Sequence, residues 1–282
     1  MIYVLIAIFC SVVVSINLKL LKRYYTSAFQ AIVFNYPTAA ILCFLFFKPS
    51  LETNLGSDKW LLYVLIALLL LSIFYFISKS IATSGIVLTA IAQRLSLIIP
   101  VASAFLLFGE NLNILKIIGL IIGFTAIYAS RPQGKFDAKN IAVWYPLIVF
   151  IGTGVLDVFF NLLTQFSGVS FTTSLFWIFI IATFIGLISL LYLIITKKKE
   201  FQLRAMFAGI VLGVFNFGSI YFYIKALALE STRPSVVFSS LDIGVIAFGS
   251  LAGLILFKEK LSNLNKIGLI LAIVAIVVLS FA

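Results

Sequence analysis

The sequence contains no histidine, only two cysteines and few charged residues, and each shortage excludes a class of protein. Histidine is the commonest general base and metal ligand, so its absence removes the usual centre of hydrolytic or metal-dependent chemistry. Cys10 and Cys43 both lie in apolar runs and build neither a disulfide framework nor a thiolate metal site. The sequence has no Walker A pattern, which excludes an ATP-driven pump within this chain. We therefore expect no enzyme, no metal and no cofactor.

Long apolar runs are what the sequence has instead. Hydrophobic residues make up 63% of the chain and charged residues 10%, whereas soluble domains carry about 25% charged residues. A membrane-spanning helix needs about 20 mostly apolar residues, and ten such runs are found. They are Ile2–Leu18, Ala28–Phe47, Trp60–Ser78, Ile86–Phe108, Ile114–Ser130, Trp144–Phe166, Phe171–Thr196, Leu203–Leu229, Ser235–Phe257 and Asn265–Phe281. The predicted fold is an all-α membrane protein with ten transmembrane helices.

The chain also repeats itself across its two halves. Leu107–Ile127 and Leu256–Ile276 align at a constant offset of 149 residues, and both copies contain a Glu and a Gly nine residues apart. The longest polar connection, residues 131–140, separates five predicted helices in residues 1–130 from five in residues 141–282. An odd number of helices per copy makes the second copy enter the membrane from the opposite face. We therefore predict two inverted five-helix repeats, an arrangement that recurs in secondary transporters.

Positive charge is concentrated in the short connections between the apolar runs. The formal net charge is +11, which we interpret as a topology signal and as an attraction to anionic lipid headgroups. No nucleic acid partner is expected. Most Lys and Arg residues lie in the connections on the face opposite the two termini, and the positive-inside rule alone puts that face in the cytoplasm.

Several charged side chains fall inside the predicted helices, where a charge costs at least about 2.5 kcal/mol. Arg94, together with Gln93, is a candidate anchor for a substrate carboxylate or phosphate, because a guanidinium donates in a planar fork. Asp157 and Asp242 are candidates to receive an ammonium group or a coupling proton. The other substrate-binding candidates are Asn161, Asn17, Tyr221, Asn216 and Lys225.

Each of these assignments has a structural alternative. The charged residues can form fixed ion pairs, a lysine near a helix end can extend to the membrane surface, and asparagines can join helices by hydrogen bonds. Glu110 and Glu259 lie in connections, where a role in the helix turn is favoured over one in transport. Pro100 is either a hinge in the fourth helix or a tolerated kink. Gly209 and Gly213 indicate close packing within the bundle more than a dimer face.

The combined pattern resembles the drug/metabolite transporter superfamily, and within it the EamA-like branch. The resemblance rests on ten helices in two inverted halves and on a Gly-Glu-Asn-Leu segment at 109–112, which returns as Lys-Glu-Lys-Leu at 258–261. The Tyr/Phe-rich end of the eighth helix, followed by Lys-Ala-Leu-Ala-Leu at 225–229, is also similar to helix ends of that family.

The resemblance implies a carrier that moves a small polar metabolite such as an amino acid, usually outward, by alternating access. The family includes sugar-phosphate and nucleotide-sugar exchangers, so exchange of a phosphorylated anion is the alternative. That alternative requires Lys79 or Lys225 to face inward beside Arg94. An intramembrane enzyme and a purely structural subunit are less favoured.

The expected partners are a small-molecule substrate and membrane lipid, with a monomer favoured over a homodimer and proton coupling as an option. The expected location is a bacterial inner membrane. The resemblance implies cytoplasmic termini, whereas the distribution of Lys and Arg favours termini outside, so both orientations remain open.

Overall fold

The computed structural model describes residues 2–49, 57–100, 114–129, 144–164, 169–198, 200–229 and 234–281. These residues form ten α-helices, and no strand occurs among them. The prediction of an all-α protein is therefore confirmed. The helices are α1 (Ile2–Arg23), α2 (Ala28–Phe47), α3 (Ser57–Ser84), α4 (Ile86–Leu95), α5 (Ile114–Ala129), α6 (Trp144–Thr164), α7 (Phe171–Ile195), α8 (Leu203–Leu229), α9 (Pro234–Leu256) and α10 (Asn263–Ser280).

Five of these helices, α1, α2, α3, α7 and α8, are long and apolar enough to cross a membrane. The other five contain shorter apolar segments within the described residues, for example Trp144–Phe160 of α6 and Ser240–Leu256 of α9. Large apolar side chains also cover the outside of the bundle, and on α7 Phe184, Ile188 and Leu191 are each more than half exposed. Extended apolar surface of this kind is costly in water and is compatible with a lipid environment. These features indicate a membrane protein.

The helices pack in a small number of extensive pairs. Helix α2 packs mainly against α7 and α8, α3 against α6 and α7, α1 against α8 and α9, α4 against α6 and α9, and α5 against α10. The contact of α2 with α8 depends on Gly209 and Gly213, because a Cβ atom at Gly213 would lie 2.7 Å from the carbonyl oxygen of Asn35. The prediction that these glycines permit close packing within the bundle is confirmed.

Hydrogen bonds bring the connections of one end of the bundle together. The Lys19 ammonium donates to the carbonyl of Ile81, which joins the ends of α1 and α3, and the Asn265 amide donates to the carbonyl of Ala129, which joins the start of α10 to the end of α5. The Gln30 amide donates to the Glu200 carbonyl between α2 and the start of α8. We call this the basic end. Its described cations are Lys19, Lys22, Arg23, Lys197, Lys198, Arg204, Lys258, Lys260 and Lys266.

The predicted fourth helix is interrupted. The sequence predicts one helix over Ile86–Phe108, but α4 ends at Leu95, turns at residues 96–97 and becomes helical again at 98–100. Pro100 explains the break, because its ring clashes with the carbonyl four residues earlier and it has no N–H to donate there. That carbonyl, of Ser96, instead accepts from the Ile99 N–H at 2.9 Å. The prediction of a continuous helix is wrong at this point, and residues 101–113 lie outside the described part.

Candidate functional site

The central feature of the site is an ion pair between α4 and α9. Arg94 Nη1 lies 2.9 Å from Asp242 Oδ1, and the side chains are 24% and 14% exposed. Arg94 occupies the last turn of α4, where the carbonyl groups of a helix end favour a cation. The structure thus brings together two of the predicted charged residues. The pair is mostly buried, with only a part of each side chain accessible to solvent.

Asp157 on α6 is the third charged group of the site. The Ser96 hydroxyl donates to the Gln93 carbonyl and also lies 3.4 Å from Asp157 Oδ2, a long hydrogen bond. Both Arg94 and Asp242 lie within electrostatic range of the Asp157 carboxylate. Helix α6 approaches the break after α4 at Gly154, where an added Cβ atom would lie 2.6 Å from the Cβ of Ile99. The missing Cβ therefore brings Asp157 to the site.

The Tyr223 phenol completes the described cluster from α8. It lies within electrostatic range of Asp242, Arg94 and Asp157. The cluster combines one guanidinium with two carboxyl groups, a phenol and a hydroxyl. Such a set donates to a carboxylate and accepts from an ammonium group. It offers no metal site, since no three His, Cys, Asp or Glu side chains are grouped among the residues that the structure describes.

Other predicted site residues lie elsewhere. The Asn17 amide donates to the Ala208 carbonyl between α1 and α8, and the Asn216 amide donates to Asn35 Oδ1 on α2. Both side chains form the helix-to-helix hydrogen bonds that were the structural alternative for the asparagines.

Gln93 is half-buried beside Arg94, and its backbone carbonyl is the group that accepts from Ser96. The Tyr221 ring packs against Phe46, Phe47 and Phe217 in an aromatic group. Lys225 is exposed, with its ammonium 5.6 Å from the centre of the Tyr221 ring. Lys79 is similarly located over the ring of Tyr75, at 5.4 Å. The side chain of Asn161, the connection 131–140 and Glu110 lie outside the described residues.

A second polar cluster lies at the N-terminal end of α4, where Glu259 reaches across from the connection between α9 and α10. Its carboxylate accepts from the backbone N–H of Ile86 at 2.8 Å and of Val87 at 3.3 Å. It also forms an ion pair with Lys19 at 3.1 Å. These N–H groups have no partner within the helix, and the helix start favours negative charge. Glu259 therefore caps a helix of the other half of the chain.

Two glycines fit this carboxylate closely. Gly85 precedes α4 with φ +95°, and a Cβ atom there would lie 2.6 Å from Glu259 Oε2. A Cβ atom at Gly253 would lie 2.8 Å from the same oxygen. The Glu259 N–H donates to the Gly253 carbonyl at 3.0 Å, so the backbone forms the helix turn while the side chain binds α4. The predicted role of Glu259 in the helix turn is therefore correct for its backbone, whereas its side chain contacts α4.

Sequence reasoning missed Ser96, and it did not assign Lys19 to a site. Ser96 carries a local signal, since it lies four residues before Pro100, where a proline disrupts the helix and exposes backbone groups. Lys19 carries none, because a lysine near the end of an apolar run is usually a membrane-surface residue. The sequence analysis names Tyr221 as a site residue, whereas the structure brings Tyr223, two residues later on α8, to the charged cluster.

Comparisons with known proteins give a family and a fold but no function. A protein of Haemophilus influenzae, described as uncharacterized, is 36% identical to this chain over 279 residues, which cover 96% of this chain and 94% of that protein. A solved structure, described as the crystal structure of a protein, is similar in fold with a TM-score of 0.62 at 12% identity. The match covers 99% of this chain and 96% of the chain in that structure. No family model matches the sequence.

The fold and the charged cluster together define a class, a helical membrane protein with ionic groups among its helices. Within that class the chain belongs to the same family as the uncharacterized Haemophilus influenzae protein, since the identity extends along nearly the whole of both chains.

Proposed function

We propose that this protein is a secondary membrane carrier for a small metabolite with an amino group, such as an amino acid. The main support is the cluster in which Arg94 pairs with Asp242 at 2.9 Å within electrostatic range of Asp157. One cation with two carboxyl groups leaves an excess of negative charge among apolar helices. Charges in a membrane are costly unless they face a partner or an aqueous space. A cationic ligand group, or a proton, offsets this excess.

The donors and acceptors of the cluster suit both ends of an amino acid. In the proposal, the Arg94 guanidinium binds the substrate carboxylate, and Asp157 and Asp242 bind the ammonium group or exchange a coupling proton. Thr153 lies one turn before Asp157 on α6, and its buried hydroxyl has no hydrogen-bond partner among the described residues. A buried hydroxyl is normally satisfied, so Thr153 is a further candidate contact for a polar ligand or a water.

The pattern of helix neighbours supports the two inverted repeats. Each helix of one half has a counterpart five places away in the other half, so that α1 corresponds to α6 and α3 to α8. When each helix is replaced by its counterpart, the pair α1 with α8 becomes α6 with α3, and α2 with α8 becomes α7 with α3. Likewise α1 with α9 becomes α6 with α4, and all of these pairs occur. We propose that the ten apolar helices are ten spans in two such repeats, in an inner membrane. The resemblance to EamA-like carriers agrees with this.

The Glu259 cluster supplies the contact that alternating access requires at one end. Lys19 and the start of α4 belong to the first half, whereas Glu259 belongs to the second, and the two halves are joined here by an ion pair and two hydrogen bonds. In a rocking carrier, the halves separate at one end while they close at the other. We therefore propose that the basic end is closed in this conformation and opens when Glu259 leaves α4.

Exchange of a phosphorylated anion is less well supported. That function expects a second cation beside Arg94, but Lys225 is exposed and Lys79 lies over the ring of Tyr75. The guanidinium of Arg94 is paired with the Asp242 carboxylate, and a phosphorylated anion, unlike an amino acid, brings no ammonium group to replace the guanidinium on that carboxylate. A phosphate group would therefore meet net negative charge, which is unfavourable at short distance.

The proposal is tested by counterflow in proteoliposomes. Vesicles that contain the purified protein are loaded with a mixture of the common amino acids, and exchange is measured with isotopically labelled amino acids outside, with glucose 6-phosphate as a separate arm. We expect exchange of at least one amino acid. Arg94→Ala and Asp242→Asn should abolish it at equal amounts of reconstituted protein.

Lys225→Ala is the matched control, since it also removes a cation from a helix but from an exposed position. It should keep nearly the exchange rate of the original chain. Exchange that is undiminished in Arg94→Ala would reject the site, and exchange of glucose 6-phosphate alone would reject the amino-acid class in favour of an anion.

A further inference from the structure

A groove lies between the second half of α1 and the first turns of α8, away from the charged cluster. Its volume is about 510 Å³. The walls are mainly aliphatic, with Val13, Ile16 and Leu20 from α1 and Ala208 and Val211 from α8. Tyr24, Thr26 and Arg204 lie at the basic end of the groove. The groove is thus apolar along its length and polar at one end.

The dimensions of the groove suit a hydrocarbon chain. From Val13 to Arg23, the last residue of α1, the helix rises about 15 Å, at about 1.5 Å per residue, which is half the thickness of a bilayer core of about 30 Å. The one amide in the groove, that of Asn17, already donates to the Ala208 carbonyl. The deeper part of the groove therefore offers little to a polar ligand.

The surface around the groove is apolar as well. Phe207, Ile210 and Val214 on α8 are exposed by 58%, 39% and 44%. Phe207 and Ile210 each lie one position before a groove residue of the same helix, so the groove opens beside the surface that would contact acyl chains. A lipid can enter from the side without crossing a polar barrier.

Charge decides which lipid fits. Arg204 is exposed and forms no ion pair within the part of the chain that the structure describes. Lys22, Arg23, Lys197 and Lys198 belong to the same end and are also exposed. Clustered cations at a membrane surface attract anionic headgroups, and a guanidinium binds phosphate in a bidentate way. A zwitterionic headgroup gains less from this field.

We propose that the groove between α1 and α8 is a binding site for an anionic phospholipid, with an acyl chain along Val13, Leu20 and Val211 and the phosphate at Arg204. The site does not depend on the carrier function, because none of its residues belongs to the charged cluster. The protein would carry this lipid as a bound component, at the boundary between its two halves.

The test is native mass spectrometry of the full chain, delipidated in detergent and titrated with phosphatidylglycerol, phosphatidylcholine or inorganic phosphate. Phosphatidylglycerol should form a one-to-one adduct with about fivefold preference over phosphatidylcholine, as about 1 kcal/mol per cation implies. Arg204→Ala should lose this preference. Val211→Trp should weaken the adduct of both lipids, because the indole projects into the groove and occupies part of the path of the acyl chain.

Lys266→Ala is the control, since it removes an exposed cation of the same end that does not line the groove. It should keep the preference for phosphatidylglycerol. Equal binding of both lipids by the original chain, or an unchanged preference in Arg204→Ala, would overturn the proposal. Competition by inorganic phosphate at equal strength would show an ion site in place of a lipid site.

Discussion

The two ends of α4 are both held by the second half of the chain, but in different ways. At the N-terminal end, the Glu259 carboxylate accepts from two backbone N–H groups and pairs with Lys19, and it is enclosed by Gly85 and Gly253. At the other end, Arg94 pairs with one of two nearby carboxyl groups, and the contact of Asp157 within the described part of the chain is a long one, to the Ser96 hydroxyl.

The difference separates a fitted contact from an adaptable one. Each oxygen of Glu259 has a defined donor, so the contact either exists as a whole or is lost as a whole. The described contacts of the carboxyl groups near Arg94 use only part of the acceptor capacity of two carboxylates, and a ligand or a proton can take up the remainder. A carrier needs both kinds, a closure with two states and a site that changes partner.

The largest effect should come from reversing the charge of Arg94. Arg94→Asp groups three carboxyl groups among the helices, and removing one partner of a buried pair costs about 3–5 kcal/mol. The double variant Arg94→Asp with Asp242→Arg restores one cation, so it should recover most of the lost stability. Thermal unfolding in detergent measures both. A double variant as unstable as the single one would show that pairing is not what holds α4 to α9.

Swapping the charges of the ion pair at the N-terminal end of α4 should not preserve stability. Lys19→Glu with Glu259→Lys keeps the ion pair but brings an ammonium to a helix start, where the N–H groups need an acceptor. We expect a loss of about 3 kcal/mol in the free energy of unfolding from the lost cap and the altered pair. Lys260→Glu, at an exposed neighbouring position, should be nearly neutral. A double variant as stable as the original chain would contradict the capping role of Glu259. The ion pair with Lys19 would then be the contact that stabilises this end of α4.

The apolar runs predicted the helices of this fold well, because a long apolar run has few alternatives to a helix in lipid. The ends of α2 and α8 agree with prediction to the residue. Helices α1 and α3 extend to Arg23 and Ser84, beyond their predicted ends at Leu18 and Ser78. The fourth helix is interrupted after Leu95, a break that depends on Pro100 and on the approach of α6 at Gly154. A kink and a continuous helix have the same hydropathy pattern.

The candidate site was predicted in part. Arg94, Asp157 and Asp242 were found because charge inside an apolar run is itself a signal. Tyr221 was predicted and Tyr223 was not, because an aromatic residue in such a run does not reveal which face of the helix it occupies. The contact of Glu259 with α4 joins positions far apart in the chain, and no local pattern encodes such a contact.

The smallest of these effects should come from a single methyl group at Gly85. This residue has φ +95° and ψ 169°, a region that residues with a side chain rarely adopt, and the Cβ atom of Gly85→Ala would also meet the Glu259 carboxylate at 2.6 Å. We expect a loss of about 1–2 kcal/mol in the free energy of unfolding. Gly249→Ala is the matched control, since its Cβ atom would have ordinary contacts of 3.8 Å and 3.9 Å.

Thermal unfolding of both variants compares the two glycines directly, and combining each with Glu259→Ala separates the two causes in Gly85→Ala. If the clash with the carboxylate dominates, the cost of Gly85→Ala shrinks once Glu259 is truncated, because neighbouring changes are then not additive. If the backbone conformation dominates, the cost is unchanged. A Gly85→Ala variant as stable as Gly249→Ala would mean that the start of α4 adapts freely, and the contrast between its two ends would then disappear.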